Sequence, residues 1–196
     1  MRAFLGIGLS ETVRDAIAAL QRELATSGAD VTWVVPAHLH VTLKFLDEIS
    51  EEQRRAIEER MGLLARQEAA FGLGLEGIGA FPSLEAPRVI WIGLAQGKER
   101  VAHLAQSIER EAAMLQLRRE ARPFAAHLTI GRVRSARHRA ALAQRLREVS
   151  WRPPAAWQAT SLTLYESMLS ASGPRYTVLA VFPFDSHRPS PTRDGS

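Results

Sequence analysis

Apolar residues recur along the chain with two periods, near two and near 3.6, and their alternation outlines the fold. Ala3 to Leu9 is a short apolar run that predicts a strand. Ser10 then stands where a helix N-cap belongs, and Val13, Ile17, Leu20 and Leu24 form one stripe over Glu11 to Ala25, closed by Gly28. Val31 to Val35, stopping at Pro36, and Leu39 to Leu46 predict strands. Ser50-Glu-Glu-Gln resembles a capping box and opens a helix to about Arg66, with Ile57, Met61 and Leu64 on one face. Phe71 to Phe81 is a glycine-laced strand pattern, and Arg88 to Leu94 is a stronger one. Lys98 to Leu117 is a long amphipathic helix, Ala126 to Val133 a strand, and Ser135 to Val149 a helix. Trp157 to Tyr165 and Arg175 to Phe182 predict two last strands joined by a turn at Ser172-Gly173-Pro174. From Asp185 onward, Pro, Ser, Arg and Gly predict a disordered tail.

Strands and helices mix throughout, so the class is α+β or α/β. Each half holds a long helix, then a strand reading His-apolar-Thr-apolar, then another helix. The period is the 87 residues between His40 and His127, which predicts two similar lobes rather than a solenoid.

Composition narrows the chemistry. With 46% hydrophobic residues there is material for a real core. No run reaches the ~18 apolar residues of a membrane span. The opening residues lead directly into a helix pattern and are too short for a signal peptide, so a cytoplasmic protein is expected. Cysteine is absent, which removes disulfides, thiolate zinc sites and a thiol nucleophile. The net charge of +4 comes almost wholly from arginine, since Lys44 and Lys98 are the only lysines. Arginine binds phosphate through a planar fork, although so modest a charge also fits plain base composition.

His40-Val-Thr-Leu and His127-Leu-Thr-Ile carry the candidate chemistry. Chance supplies one such tetrapeptide about 0.06 times in a chain of this composition, and two about 0.002 times. On a strand, residues i and i+2 share a face about 7 Å apart. His40 and Thr42 therefore face one way and Val41 and Leu43 the other, with His127 and Thr129 repeating the arrangement. Two polar faces turned toward each other would hold two imidazoles and two hydroxyls. That set suits a phosphodiester: a neutral ring takes a proton from water, a protonated ring gives one to the leaving ribose oxygen, and the hydroxyls donate to the non-bridging oxygens. A 2′,3′-cyclic phosphate is strained, so no metal or other cofactor is needed. The pattern alone does not order the two histidines as acid and base.

The sequence resembles the two-histidine (2H) phosphoesterases, and within them the RNA 2′,3′-cyclic phosphodiesterases also called 2′-5′ RNA ligases. The resemblance runs from Phe4 to about Phe182. It rests on Trp33-Val-Val-Pro, Leu39-His-Val-Thr-Leu-Lys-Phe-Leu, Gly79-Ala-Phe-Pro, Arg88-Val-Ile-Trp-Ile-Gly, Arg122-Pro-Phe, His127-Leu-Thr-Ile-Gly-Arg, Leu164-Tyr-Glu-Ser and Gly173-Pro-Arg-Tyr. It implies an α+β fold of two pseudo-symmetric lobes, each an antiparallel sheet flanked by helices, with the active-site cleft between them. Residues 1–184 would form that single bilobal domain and 185–196 the tail. It implies hydrolysis of an RNA 2′,3′-cyclic end to a 2′-phosphomonoester, with His40 as proton donor and His127 as proton acceptor. The expected partner is RNA with such ends, tRNA fragments among them, bound by a monomer without a membrane. The reverse reaction, 2′-5′ ligation of tRNA halves, and a non-catalytic RNA-binding module are the alternatives. His38 stands where the family often has Asn, and Asp47 where Gly is common.

Further residues carry two readings each. Lys44 shares strand parity with His40 and either meets phosphate or ends a solvated strand. Arg132 has the opposite parity to His127 and reaches the cleft only if the strand twists or bulges. Tyr165, Trp33 and Phe45 either stack on a base or pack in the core. Gly72-Leu-Gly-Leu-Glu-Gly follows a helix and enters a strand, the reverse of what dinucleotide binding needs. His38-x-His40 has no evident third ligand, so no metal is expected.

Overall fold

The computed structural model of the protein describes residues 1–170 and 173–185. In chain order the elements are β1 (Arg2–Gly8), α1 (Glu11–Ala25), β2 (Val31–Trp33), a 3-10 turn (Pro36–His38), β3 (His40–Glu48), α2 (Glu51–Ala65), β4 (Phe71–Leu73) and β5 (Leu75–Phe81). They continue as β6 (Val89–Leu94), α3 (Lys98–Met114), β7 (His127–Val133), α4 (Arg139–Glu148), β8 (Trp157–Ala159), β9 (Ser161–Ser170) and β10 (Gly173–Pro183).

Local chemistry accounts for most of these bounds. The Ser10 hydroxyl accepts from the Val13 amide at the start of α1. At α2 the capping box is complete: Ser50 accepts from the Gln53 amide while the Gln53 side chain accepts from Ser50. Helix α3 starts at Gly97, whose φ of 78° lies in the left-handed region. A side chain there would also run into the Gly72 carbonyl. The apolar stripe of α1 is buried as the pattern predicts, with Val13, Ile17, Leu20 and Leu24 each at 1% exposure or less.

Two four-stranded antiparallel sheets form, in the orders β10-β9-β1-β3 and β2-β7-β6-β5, with β4 and β8 as a separate pair. The fold is the bilobal α+β arrangement that the repeat implied, but each lobe draws on both halves of the chain. Strand β2 of the first half pairs with β7 of the second, and β9 of the second half pairs with β1 of the first. The helices cross over as well. Helix α1 packs on β7 and α4, while α3 packs on β3 and α2 packs on α3, β9 and β10. Two expected strands are each broken to permit this exchange. Phe71 to Phe81 divides at Gly74, and Trp157 to Tyr165 divides at Thr160. The short leading pieces pair with each other and the longer pieces go to opposite sheets.

The inward faces carry the core: Leu5, Ile7, Val41, Leu162 and Leu164 in one sheet, Ile90, Ile92, Leu128 and Ile130 in the other, none above 1% exposure. Asp185, expected to begin the tail, is still anchored. It donates its amide to the Glu68 carbonyl at 2.8 Å and bridges Ala69. Ser172 of the expected turn and the remainder of the expected tail lie outside the described residues. Among those described, no helix is long and apolar enough to cross a membrane.

Candidate active site

His40 and His127 open β3 and β7, and the two strands come within 8 Å of each other, Cα to Cα, across the lobes. The expected alternation holds through each motif. Val41, Leu43, Leu128 and Ile130 are buried, and His40, Thr42, His127 and Thr129 are only partly so.

Each ring is fixed in the same way. His40 Nδ1 lies 2.7 Å from the His38 carbonyl, and His127 Nδ1 lies 2.7 Å from the Ala125 carbonyl. A carbonyl only accepts, so both Nδ1 atoms carry the proton and donate. Each neutral ring therefore presents Nε2 as its basic atom, and among the described residues neither Nε2 has a protein partner.

The surroundings differ. His40 stacks on Phe4 at 4.5 Å, meets the edge of Tyr176 at 5.3 Å, and lies 5.7 Å from Tyr165. Burial among these rings lowers its pKa from 6.5 to about 4, opposed by the bond to His38. His127 meets the edges of Phe81 at 5.4 Å and of Trp91 at 6.4 Å. Both tyrosines have their phenols raised above 10 by burial, so they stay protonated donors at neutral pH.

At the last residue of each motif the strand carries an extra residue, and β3 carries another at Leu46, between the pairs Phe4–Phe45 and Ala3–Asp47. In the pairing of β3 with β1, Thr42 opposes Gly6 and Lys44 opposes Leu5, leaving Leu43 over. In the pairing of β7 with β6, Thr129 opposes Trp91 and Gly131 opposes Ile90, leaving Ile130 over. A bulge reverses the parity of the residues after it, up to the next bulge. Lys44 is therefore placed on the face opposite His40, a correction to the alternation expected of it. It is 4% exposed and donates to Glu109 Oε2 at 2.6 Å and to the Arg118 carbonyl at 3.0 Å. A buried ammonium needs such partners, and with them Lys44 ties α3 and the following loop to β3. The same reversal brings Arg132 to the cleft, where it lines a cavity with Phe4, Phe45 and Tyr176. Phe45 is its counterpart on the other lobe and is 55% exposed. Trp33 packs over Gly131 against the core instead of entering the cleft. Tyr165 stacks on Phe4 at 4.9 Å and so backs the His40 ring.

Sequence reasoning did not assign Tyr176, Phe81 or Trp91 to the site. All three sit in stretches already singled out, Gly173-Pro-Arg-Tyr, Gly79-Ala-Phe-Pro and Arg88-Val-Ile-Trp. Nothing in a strand pattern separates an aromatic ring facing a histidine from one facing the core.

The bulge at Ile130 has a dedicated support. Gln21 of α1 is 6% exposed, and its Nε2 donates to the Val34 carbonyl at 2.8 Å and to the Ile130 carbonyl at 2.9 Å. The Ile130 carbonyl also accepts from the Val34 amide at 3.0 Å. Replacing Gln21 with Met keeps the shape and removes both bonds. We expect a loss of about 1–3 kcal/mol in denaturant unfolding, with a fall in kcat/KM because Arg132 is no longer held toward the cleft. Unchanged stability and turnover would deny Gln21 this role.

The model of the LigT-like phosphoesterases matches residues 7–91 and again 92–176, two equal repeats whose boundary falls within β6. The chain is 36% identical to an RNA 2′,3′-cyclic phosphodiesterase of Archaeoglobus fulgidus, covering 93% of this chain and 99% of that protein. It is 34% identical to a protein of the same name from Methanothermobacter thermautotrophicus, covering 93% and 98%. Among solved structures, a Thermus thermophilus protein superposes with a TM-score of 0.80 at 28% identity, covering 96% of this chain and 100% of that one. LigT of E. coli in complex with 3′-AMP superposes with a TM-score of 0.73 at 28% identity, covering 93% and 97%. The duplicated strands and the exchanged sheets are thus those of a known lineage, and this chain belongs to the LigT-like phosphoesterase family.

Proposed function

We propose that the protein hydrolyses RNA 2′,3′-cyclic phosphodiester ends to 2′-phosphomonoesters by acid–base catalysis between two histidines, without a metal. The observation that carries this reading is the pair of imidazoles on matching strands, each anchored through Nδ1 and offering Nε2. The relatives named RNA 2′,3′-cyclic phosphodiesterase support the substrate class.

Water attacks phosphorus opposite the 3′-oxygen. His127 Nε2 takes the proton of the attacking water as the new P–O bond forms. The P–O3′ bond breaks, and His40 Nε2 gives its proton to the 3′-oxygen, leaving a 2′-phosphate and a 3′-hydroxyl. Thr42 and Thr129 donate to the non-bridging oxygens, and Arg132 adds positive charge where the phosphate collects negative charge. Tyr165 holds the His40 ring in place from behind.

One observation favours the reverse order of roles: His40 is neutral before substrate binds, because burial holds its pKa at about 4. The substrate itself removes the conflict. A phosphodiester anion beside the ring favours the charged form, so His40 gains its proton as the substrate enters. The same groups act as a 2′-5′ ligase when the 5′-hydroxyl of a second RNA replaces water: the P–O5′ bond forms, the P–O3′ bond breaks, and competition from water sets the outcome. Monomeric action in the cytoplasm, on ends such as those of tRNA fragments, completes the reading.

The test is a short RNA ending in a 2′,3′-cyclic phosphate, with the product mapped by mass and by phosphatase sensitivity. A phosphatase-sensitive 2′-phosphate should form at the same rate with and without EDTA. Unchanged RNA at high protein concentration would point to a binding module, and loss of turnover with EDTA to a metal.

A further inference from the structure

A cavity of ≈ 160 Å³ opens beside His40, lined among others by Arg2, Phe4, Phe45, Asp47, Arg132 and Tyr176. It adjoins the reacting centre directly, since Phe4 stacks on His40 at 4.5 Å and Tyr176 meets the same ring at 5.3 Å. Phe45 is more than half exposed there, so much of its ring faces solvent. Asp47 is among its lining residues and has a φ of 56°. An L-residue is disfavoured in that left-handed region and glycine is not, so backbone geometry alone would select glycine. The side chain makes one exposed ion pair, from Oδ2 to Arg118 at 3.2 Å, of a kind that adds little to stability.

We propose that this cavity is the base subsite and that it selects guanine on the nucleotide bearing the cyclic phosphate. The inference rests on the phosphodiesterase reading and names the substrate more closely. Phe45 supplies the stacking face, as aromatic rings do for unpaired bases. The Asp47 carboxylate only accepts, and guanine alone presents two adjacent donors, N1–H and the N2 amino group, on one edge. Adenine and cytosine each place an acceptor beside their amino group, and uracil places its one donor between two acceptors. The O6 and N7 acceptors of guanine then face the guanidinium of Arg2, the pairing that arginine makes best with any base, while Arg132 stays with the phosphate. Asp47 is a specificity residue here and has no part in the proton transfers.

The experiment uses four trinucleotide RNAs, identical but for the terminal base and each ending in a 2′,3′-cyclic phosphate. The wild-type protein should favour the guanosine end over the uridine end by about 10-fold or more in kcat/KM. Asp47→Gly and Asp47→Asn should lose that preference through KM while keeping the rate on the uridine end within about 2-fold. Asp47→Gly should also raise the melting temperature by a few degrees, because the strained position is relieved. Equal turnover of all four ends, or a preference that survives both substitutions, would overturn the subsite while leaving the phosphodiesterase reading intact. Turnover of none of the four would overturn that reading and the subsite with it.

Discussion

His40→Ala and His127→Ala should each lower turnover of a cyclic-phosphate RNA by about 10²–10⁴-fold while the far-ultraviolet circular dichroism of the protein is unchanged. That is the range in which a positioned acid or base contributes. The double substitution should cost little more than the worse single one, because the two rings act on one transition state. Both rings sit at the mouths of their strands and are partly solvent-facing, so neither is a core residue whose loss unfolds the chain. The order of roles is read from a leaving group that needs no proton. With sulfur in place of the 3′-oxygen, the departing thiolate is stable by itself. The variant lacking the acid should then recover most of its loss and the variant lacking the base should not. Rescue of His40→Ala supports the proton-donor role. Rescue of His127→Ala instead would exchange the two assignments, and rescue of neither would deny that a proton reaches the leaving oxygen from either ring.

The second large effect is on pH dependence and comes from His40 alone. Its folded-state pKa is about 4, against 6.5 for an unhindered imidazole. Between those values the unfolded chain holds a proton that the native protein lacks, so acid favours unfolding. Stability is therefore fully present above about pH 6.5, falls as the pH drops, and levels off below about 4. The difference corresponds to roughly 3 kcal/mol. His40→Gln should flatten that part of the stability profile, whereas a steep profile that survives the substitution would place its origin elsewhere. In kinetics, kcat/KM should rise through pH about 4 whichever ring is the acid, because the limb reports the free protein. In kcat the limb should move to higher pH, since the bound phosphodiester anion favours the charged ring. Saturating inorganic phosphate should shift the stability profile the same way.

The bulges at Leu43 and Ile130 show where strand reading fails. Period-two alternation places Lys44 on the catalytic face and Arg132 off it, and the structure reverses both. The reversal follows from the nearest unpaired residue before each of them in the strand, Leu43 for Lys44 and Ile130 for Arg132. Nothing at either position announces a bulge, because Leu and Ile are ordinary strand residues. The bulge belongs to the pairing: it depends on the register of β1 and β6, and at Ile130 on a glutamine brought in by α1 from 109 residues away. The strand breaks at Gly74 and Thr160 are of the same kind. The leading pieces β4 and β8 find each other across the two halves, while β5 pairs with β6 and β9 with β1, in opposite sheets.

The amino-acid sequence by itself determined the helices, through caps and apolar stripes that act within a few residues. It also determined the motif strands, the duplication, and the paired histidine and threonine faces, because i and i+2 on any strand must share a side. Tertiary structure alone decided which half supplies each strand of a sheet, which cation faces the cleft and which is buried beneath it, and which aromatic rings surround each imidazole. The physical reason is range. Capping and periodicity are short-range and written in neighbouring residues, whereas register, bulges and desolvation are set by groups that meet only when distant segments pack.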